Sequence, residues 1–272
     1  SRNDTRKKMR IKIPFFGKKS VNGANVQVQV YSATDIGLRR ANNEDRCVSL
    51  EGKDSPGGTD AVMIVADGMG GQAHGEVASE MAVEGIIRRL ADHPKDKTLP
   101  TGGYVELLGQ VFEEVNAEIY LESQGDTYRG MGTTATAAVV TGTRVHIAHL
   151  GDSRAYLLRD GELSQLTRDH SWVVEIVEAG NLTLEQARVH PNRNVITQAM
   201  GINAEPAVQT KTLDLRDGDL LLLCSDGLHG LVGDDEIKEL LLSGKPEQAI
   251  EDLIQRAKDL GGNDNITVVI GT

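Results

Sequence analysis

A chain of 272 residues that is 39% hydrophobic can bury a real core, which excludes disorder as its dominant state. The net charge of -11 hides an asymmetry, because residues 1 to 20 hold eight Lys or Arg against one Asp, leaving 21 basic and 39 acidic side chains in the rest. An acidic body argues against nucleic acid as a partner, and apolar runs of at most five or six residues are far short of a membrane span.

Two cysteines, Cys47 and Cys224, make no disulfide framework, both lie in or beside strand patterns, and no run resembles a signal peptide, so a cytoplasmic location is expected. Residues 1 to 24 form a basic tail, charged mainly between Arg6 and Lys19, that reads either as a solvated terminus or as a docking segment for an anionic partner or membrane surface. From residue 25 onward a single domain is expected. Val26 to Val30 alternates with period two, a second strand runs from Asp45 to Leu50, and Gly52 to Thr59 is a loop rich in Gly, Pro and Ser. The apolar run Ala61 to Ala66 then ends on Asp67-Gly68. Glycines 68, 70 and 71 lead into a helix with Ala78, Met81, Ala82, Ile86 and Leu90 on one face, closed before Pro94. A second helix shows Val105, Leu108, Val111, Phe112, Val115 and Ile119 at core spacing.

Three strands with short turns follow, Thr134 to Thr141, Val145 to Leu150 and Arg154 to Leu158, which makes them antiparallel neighbours. Residues 168 to 200 change character, with a helical pattern from Trp172 to Ala179 and a capping box from Thr183 to Gln186, and read as an inserted flap lobe. Strands near 207 to 213 and 219 to 225, helices at 235 to 242 and 247 to 260, and a last strand from Ile266 to Ile270 complete the chain. Helices come in pairs between groups of antiparallel strands, so the architecture expected is α+β, with sheets covered by helix pairs.

The chemistry lies in carboxylates at strand ends. Asp160-Gly161 and Asp217-Gly218 have the polar flanks of surface turns, whereas whole buried strands precede Asp67-Gly68 and Asp226-Gly227. Asp45, Asp152 and Asp264 also sit at strand boundaries, where each has a plain reading as a cap or turn residue. Five such carboxylates, with little His and no clustered Cys, describe an all-oxygen site for Mg²⁺ or Mn²⁺ rather than Zn²⁺. His146 and His149, three apart in a strand, face opposite sides and cannot serve one metal, and His170, His190 and His229 read as structural. The sequence lacks a P-loop, a Gly-x-Ser-x-Gly elbow, a His-Glu-x-x-His zinc motif and a kinase His-Arg-Asp.

The ordered segments Asp35-Ile36-Gly37-Leu38-Arg39-Arg40-Ala41-Asn42-Asn43-Glu44-Asp45, Val65-Ala66-Asp67-Gly68-Met69-Gly70-Gly71, Gly130-Met131-Gly132-Thr133-Thr134, Gly151-Asp152-Ser153-Arg154, Cys224-Ser225-Asp226-Gly227-Leu228 and Gly262-Asn263-Asp264-Asn265-Ile266-Thr267 carry a resemblance. They resemble the metal-dependent protein serine/threonine phosphatases of type 2C, in a bacterial form. The resemblance implies a four-layer α-β-β-α sandwich of two central antiparallel sheets flanked by helix pairs. It further implies hydrolysis of phosphoserine and phosphothreonine in proteins by a metal-bridging hydroxide without a covalent intermediate, on substrates that include a Ser/Thr kinase or its targets. Two Mn²⁺ or Mg²⁺ ions are implied, with a possible third. Asp67 would bridge both, the Gly68 carbonyl would be a ligand, Asp226 and Asp264 would complete the first site, and Asp45 or Glu44 would serve the second, directly or through water. Asp152 matches a residue at the third, weaker site, and Arg40 matches the arginine that binds phosphate.

The chain departs from the bacterial pattern where a histidine normally follows the Asp-Gly loop. Gln72 stands there and His74 follows two residues later, so the proton donor is either His74 or water. Two alternatives remain open on the sequence: a weakly active or inactive phosphatase-fold module that binds partner or phosphorylated proteins, and the same chemistry on a small phosphorylated metabolite.

Overall fold

Strict alternation in one strand sets the layers. In β3 (Ala61–Met69), Ala61, Met63 and Val65 face one way into a core shared with a second sheet, while Val62, Ile64 and Ala66 face the other way onto helices. The computed structural model describes residues 28–70, 74–93 and 99–272. The basic tail, Gln72 and the first two residues of the strand expected at Val26 to Val30 lie outside the described residues; residues 28 and 29 are not in a strand, and the first described strand begins at Val30.

Before β3 come β1 (Val30–Asp35) and β2 (Asp45–Glu51), and after it the helix pair α1 (Gly75–Ala91) and α2 (Tyr104–Ser123). The strands β4 (Gly132–Thr133), β5 (Ala135–Thr141), β6 (Arg144–Leu150), β7 (Arg154–Arg159) and β8 (Glu162–Gln165) follow, then short helices α3 (Trp172–Glu178) and α4 (Leu184–Arg188). The chain ends with β9 (Gln209–Asp214), β10 (Leu220–Cys224), the four-residue α5 (Asp226–His229), the helices α6 (Asp234–Leu242) and α7 (Pro246–Asp259), and β11 (Ile266–Gly271).

One sheet runs β2-β3-β5-β6-β9, with β4 added on β3, and the other runs β1-β11-β10-β7-β8, all antiparallel. Met63, Val65, Val140, Ile147, Leu157, Leu221, Leu223 and Val269 fill the space between them. Ala78, Ala82 and Ile86 of α1 and Leu108, Phe112 and Ile119 of α2 cover the first sheet, and Ile237 of α6 with Ile250, Leu253 and Ala257 of α7 cover the second. This is the four-layer α-β-β-α sandwich.

Residues 168–200 stand between β8 and β9 with both of their short helices, and Thr183 and Gln186 form the capping box at the start of α4. Three elements have no counterpart in the sequence reading. β4 is a two-residue strand that pairs with Gly68 and Met69 of β3. β8 is a mostly exposed edge strand, Glu-Leu-Ser-Gln, without an apolar face, and α5 is a single turn.

His149 lies buried on the face of β6 turned to the other sheet. Its Nε2 donates to the Arg168 carbonyl (3.2 Å), so Nδ1 accepts from the Thr136 hydroxyl (2.9 Å), and its ring stacks on His170. Burial first, and His170 second, push its pKa down to about 3. A histidine with a folded value below its ordinary one takes up a proton mainly on unfolding, so its contribution is whole above pH 6.5 and is lost as pH falls from 6.5 towards 3. Urea unfolding across that window should show wild type losing on the order of 1 kcal/mol per pH unit more than His149→Gln; superimposable profiles would mean that His149 is charged in the fold.

Candidate metal centre

The alternation that turns Met63 and Val65 inward carries Asp67 to the same face, at one end of the sandwich. Antiparallel register sets Asp45 directly opposite it on β2. Asp226 opens α5 straight after β10, and Asp152 sits in the turn between β6 and β7, so both sheets deliver carboxylates to one place. Hydroxyls stitch this end together. Asp45 Oδ2 accepts from Ser225 Oγ at 2.8 Å and from Thr267 Oγ1 at 2.6 Å, both on the opposite sheet's side. The backbone of Asp67 is held by Thr134, whose Oγ1 accepts from the Asp67 N–H (2.9 Å) and whose own N–H donates to the Asp67 carbonyl (2.9 Å). Asp67-Gly68 is therefore strand and not turn, whereas Asp160-Gly161 makes the tight turn between β7 and β8 with both residues at positive φ.

Gly68 permits a close approach that no other residue permits. A Cβ there would lie 2.1 Å from the Gly75 carbonyl oxygen and 2.7 Å from that of Glu44. The start of α1 consequently closes on the end of β3, and the Glu44 carboxylate stands beside the same backbone.

These carboxylates repel one another. Burial first, opposed by the Thr267 and Ser225 hydrogen bonds and reinforced by Asp226 and Asp264, pushes Asp45 up to about 7. Burial and then Asp264 push Asp226 up to about 6. Burial also drives Asp67 and Asp152 well above the usual carboxylate range, with Asp45 acting next on Asp67 and Asp226 next on Asp152. Asp45 Oδ1, Asp152 Oδ1 and Asp226 Oδ1 are buried with no hydrogen-bond partner. Unpaired buried anionic oxygens are costly, and a hard divalent cation is the partner whose chemistry suits them. Among the described residues no three His, Cys, Asp or Glu side chains form a ready-made cage; the fit rests on the orphaned oxygens and the all-oxygen donor set.

Asp264 and Arg40 stand at the mouth. Arg40 Nη2 donates to Asp264 Oδ2 at 2.6 Å, with side chains 49% and 30% exposed, so the expected phosphate ligand and one expected metal ligand are paired with each other. His74 precedes α1 as its N-cap residue, with its ring edge-on to Tyr128 at 5.5 Å between centroids. Glu44 is half-buried near Arg40, Glu76 and His74, on the α1 side rather than beside Asp45 between the sheets.

The other histidines are structural. His146 hydrogen-bonds Thr141 and Thr212, His170 Nδ1 accepts from the Gly151 N–H, and His229 Nε2 donates to the Asp152 carbonyl at 2.9 Å, the last two bracing the Asp152 turn. Nothing in the sequence pattern singled out Ser225, Thr267, Thr134 or Asn265, although all four lie inside the motif segments. Removing one charge from the cluster should relieve it: in EDTA, Asp226→Asn is expected to melt about 2–4 °C above wild type, and Mn²⁺ to raise the wild-type melting temperature more than the variant's. A variant that melts lower in EDTA would contradict the repulsion.

The profile described as protein phosphatase 2C matches residues 39–264. A serine/threonine phosphatase of Listeria monocytogenes is 43% identical over 242 residues, covering 87% of this chain and 92% of its own length. The crystal structure of the serine/threonine phosphatase Stp1 from Staphylococcus aureus superposes with a TM-score of 0.82 at 32% identity, over 95% of this chain and 99% of that one. The catalytic domain of the serine/threonine phosphatase PstP, solved in complex with two manganese ions, superposes with a TM-score of 0.74 at 36% identity, over 90% and 97%. With its motifs in order and its carboxylates gathered at one end of the two sheets, the chain belongs to the protein phosphatase 2C family of metal-dependent serine/threonine phosphatases, in its bacterial branch.

Proposed function

We propose that this phosphatase hydrolyses phosphoserine and phosphothreonine esters of proteins at the carboxylate-lined end of the sandwich, with two Mn²⁺ or Mg²⁺ ions held by Asp67, the Gly68 carbonyl, Asp226, Asp264 and Asp45. Asp152 is assigned to a third ion. The observation that carries this reading is the set of three buried, unpartnered carboxylate oxygens on residues from both sheets. When bound, the ions supply an activated water for in-line attack and neutralise the charge that would otherwise repel a phosphate.

The chain's own residues do the rest. Asp67, Asp226 and Asp45 hold fixed oxygens on a frame braced by Thr134, Ser225 and Thr267, so little reorganisation is needed when charge develops. Arg40, exposed at the mouth, exchanges Asp264 for two oxygens of the phosphate through its planar fork. The leaving serine or threonine oxygen must gain a proton, and we assign its donation to His74, whose ring stands edge-on to Tyr128.

We assign the work to the cytoplasm, on phosphoproteins made by a Ser/Thr kinase or on the kinase itself, and give the basic tail the role of docking on an anionic partner. Among the described residues no helix is long and apolar enough to cross a membrane. Hydrolysis of a phosphothreonine peptide with Mn²⁺, Mg²⁺ or EDTA tests the core of this reading. Turnover should need metal and fall at least about 100-fold in Asp67→Ala and Asp226→Ala, while His74→Ala should flatten one limb of the pH–rate profile. Metal-loaded, folded wild type without turnover would instead mean a binding module. Deleting residues 1 to 20 should leave peptide turnover intact and weaken binding to anionic partners; unchanged partner binding would dismiss the tail.

A further inference from the structure

Residues 36–44 join β1 to β2 and carry Arg40, while residues 262–265 lead into β11 and carry Asp264. The two segments lie directly on each other. Gly37 has φ +76°, and a Cβ there would stand 2.1 Å from the Asp264 carbonyl oxygen and 2.9 Å from that of Gly262. The Leu38 N–H donates to the Gly262 carbonyl at 2.8 Å. One side chain supplies the remaining ties. Asn265, only 4% exposed, donates from Nδ2 to the Ile36 carbonyl (3.0 Å) and to the Asn42 carbonyl (2.9 Å), and its Oδ1 accepts from the Glu44 N–H (2.8 Å). Both amide hydrogens and the amide oxygen are thereby spent on the two ends of one loop.

Arg40 lies between those ends. Half of its side chain is in water and it pairs with Asp264, so it has little packing of its own to fix its direction. The backbone that carries it is tied at both ends by Asn265, through Ile36, Asn42 and Glu44.

We propose that Asn265 is a positioning residue for phosphate binding: it clamps the start and end of the 36–44 loop to the Asp264 segment, so that Arg40 meets the phosphate from a loop already ordered. The inference rests on the reading of Arg40 as a phosphate ligand. An untied loop would have to be ordered each time a phosphate bound, and that entropy is taken from affinity. A tied loop bears this cost once, on folding. The same clamp keeps Glu44 close to the Asp264 segment, because its amide is one of the three points held.

The test uses the manganese-loaded full chain, with inorganic phosphate as inhibitor of phosphothreonine-peptide hydrolysis and calorimetry of phosphate binding as a readout without turnover. Asn265→Ala should raise the phosphate Ki and Kd and the peptide KM about tenfold, with kcat changed less than about threefold. Arg40→Ala should raise the same constants, and the double variant should be no worse than Arg40→Ala alone, because the clamp acts through Arg40. A purely structural asparagine predicts additive losses, or a fall in kcat at unchanged KM; either result overturns the proposal, as does wild-type phosphate affinity in Asn265→Ala. If Arg40→Ala leaves phosphate affinity unchanged, the assignment of Arg40 fails first and takes this inference with it. Should Asn265→Ala not fold, Asn265→Ser, whose hydroxyl replaces one of the three bonds, carries the same test with an intermediate shift.

Discussion

Mutual repulsion among buried carboxylates is the constraint around which one end of this molecule is built. Asp45, Asp67, Asp152 and Asp226 arrive from both sheets, and burial first, with their mutual repulsion added to it, lifts every one of their pKa values. Such a cluster survives only if the frame holding it is stronger than the charges pushing it apart. Fully buried Met63, Val65, Leu223 and Val269 supply that frame, each contributing on the order of 1.5–3 kcal/mol by leaving water. Ser225 and Thr267 cross from one sheet to the other to take up one oxygen of Asp45, and Thr134 fastens the Asp67 backbone from β5's side. What remains unsatisfied is one oxygen each on Asp45, Asp152 and Asp226. The apolar core thus keeps the end of the sandwich in a state that a divalent cation stabilises.

The charges at the mouth follow a different rule, since they are wet. The Arg40–Asp264 pair is short, but with 49% and 30% of the side chains exposed its net worth is at most about 1 kcal/mol. A weak pair suits its position. In the proposed roles, Asp264 would give up Arg40 for a cation at little cost, and Arg40 would give up Asp264 for a phosphate at equally little cost. Buried residues would do neither, because separating a buried pair strands two charges in a poor dielectric. Burial grades the site, with fixed oxygens deep and exchangeable partners at the rim.

Much of this was legible in the sequence because it rests on local patterns. The apolar runs ending at Asp67 and Asp226, the helical faces of α1 and α2 and the capping box at Thr183 are each read within a dozen residues, and the structure places them as expected except that Leu107, not Val105, is buried at the start of α2. β8 and α5 escaped because an exposed four-residue edge strand and a single helical turn carry no periodicity. The supporting residues escaped for a stronger reason. Ser225 and Thr267 reach Asp45 across 180 and 222 residues of chain, and Asn265 reaches Asn42 across 223. A strand hydroxyl or an asparagine beside a turn has ordinary local explanations, so its role emerges only when the sheets are stacked. The pairing of Arg40 with Asp264 belongs to the same class, being a contact between two loops.

The order Asp-Gly at the end of β3 also follows from the layers. Side chains at odd positions of this strand face the second sheet and those at even positions face α1, so Asp67 must be the odd residue if its carboxylate is to meet Asp45 and Asp226. The next position then faces α1, whose first residue lies against it so closely that any side chain would strike the Gly75 and Glu44 carbonyls. Glycine is the residue that lets the helix start close over the strand end. The same alternation separates Glu44 from Asp45: Asp45 points between the sheets, bonded to Ser225 and Thr267, while Glu44 stands on the side of Gly75 and His74. Reversing the pair to Gly-Asp would put the carboxylate against α1 and leave bare backbone facing the other carboxylates. Two adjacent residues therefore serve two opposite faces of one strand, and neither can take the other's place.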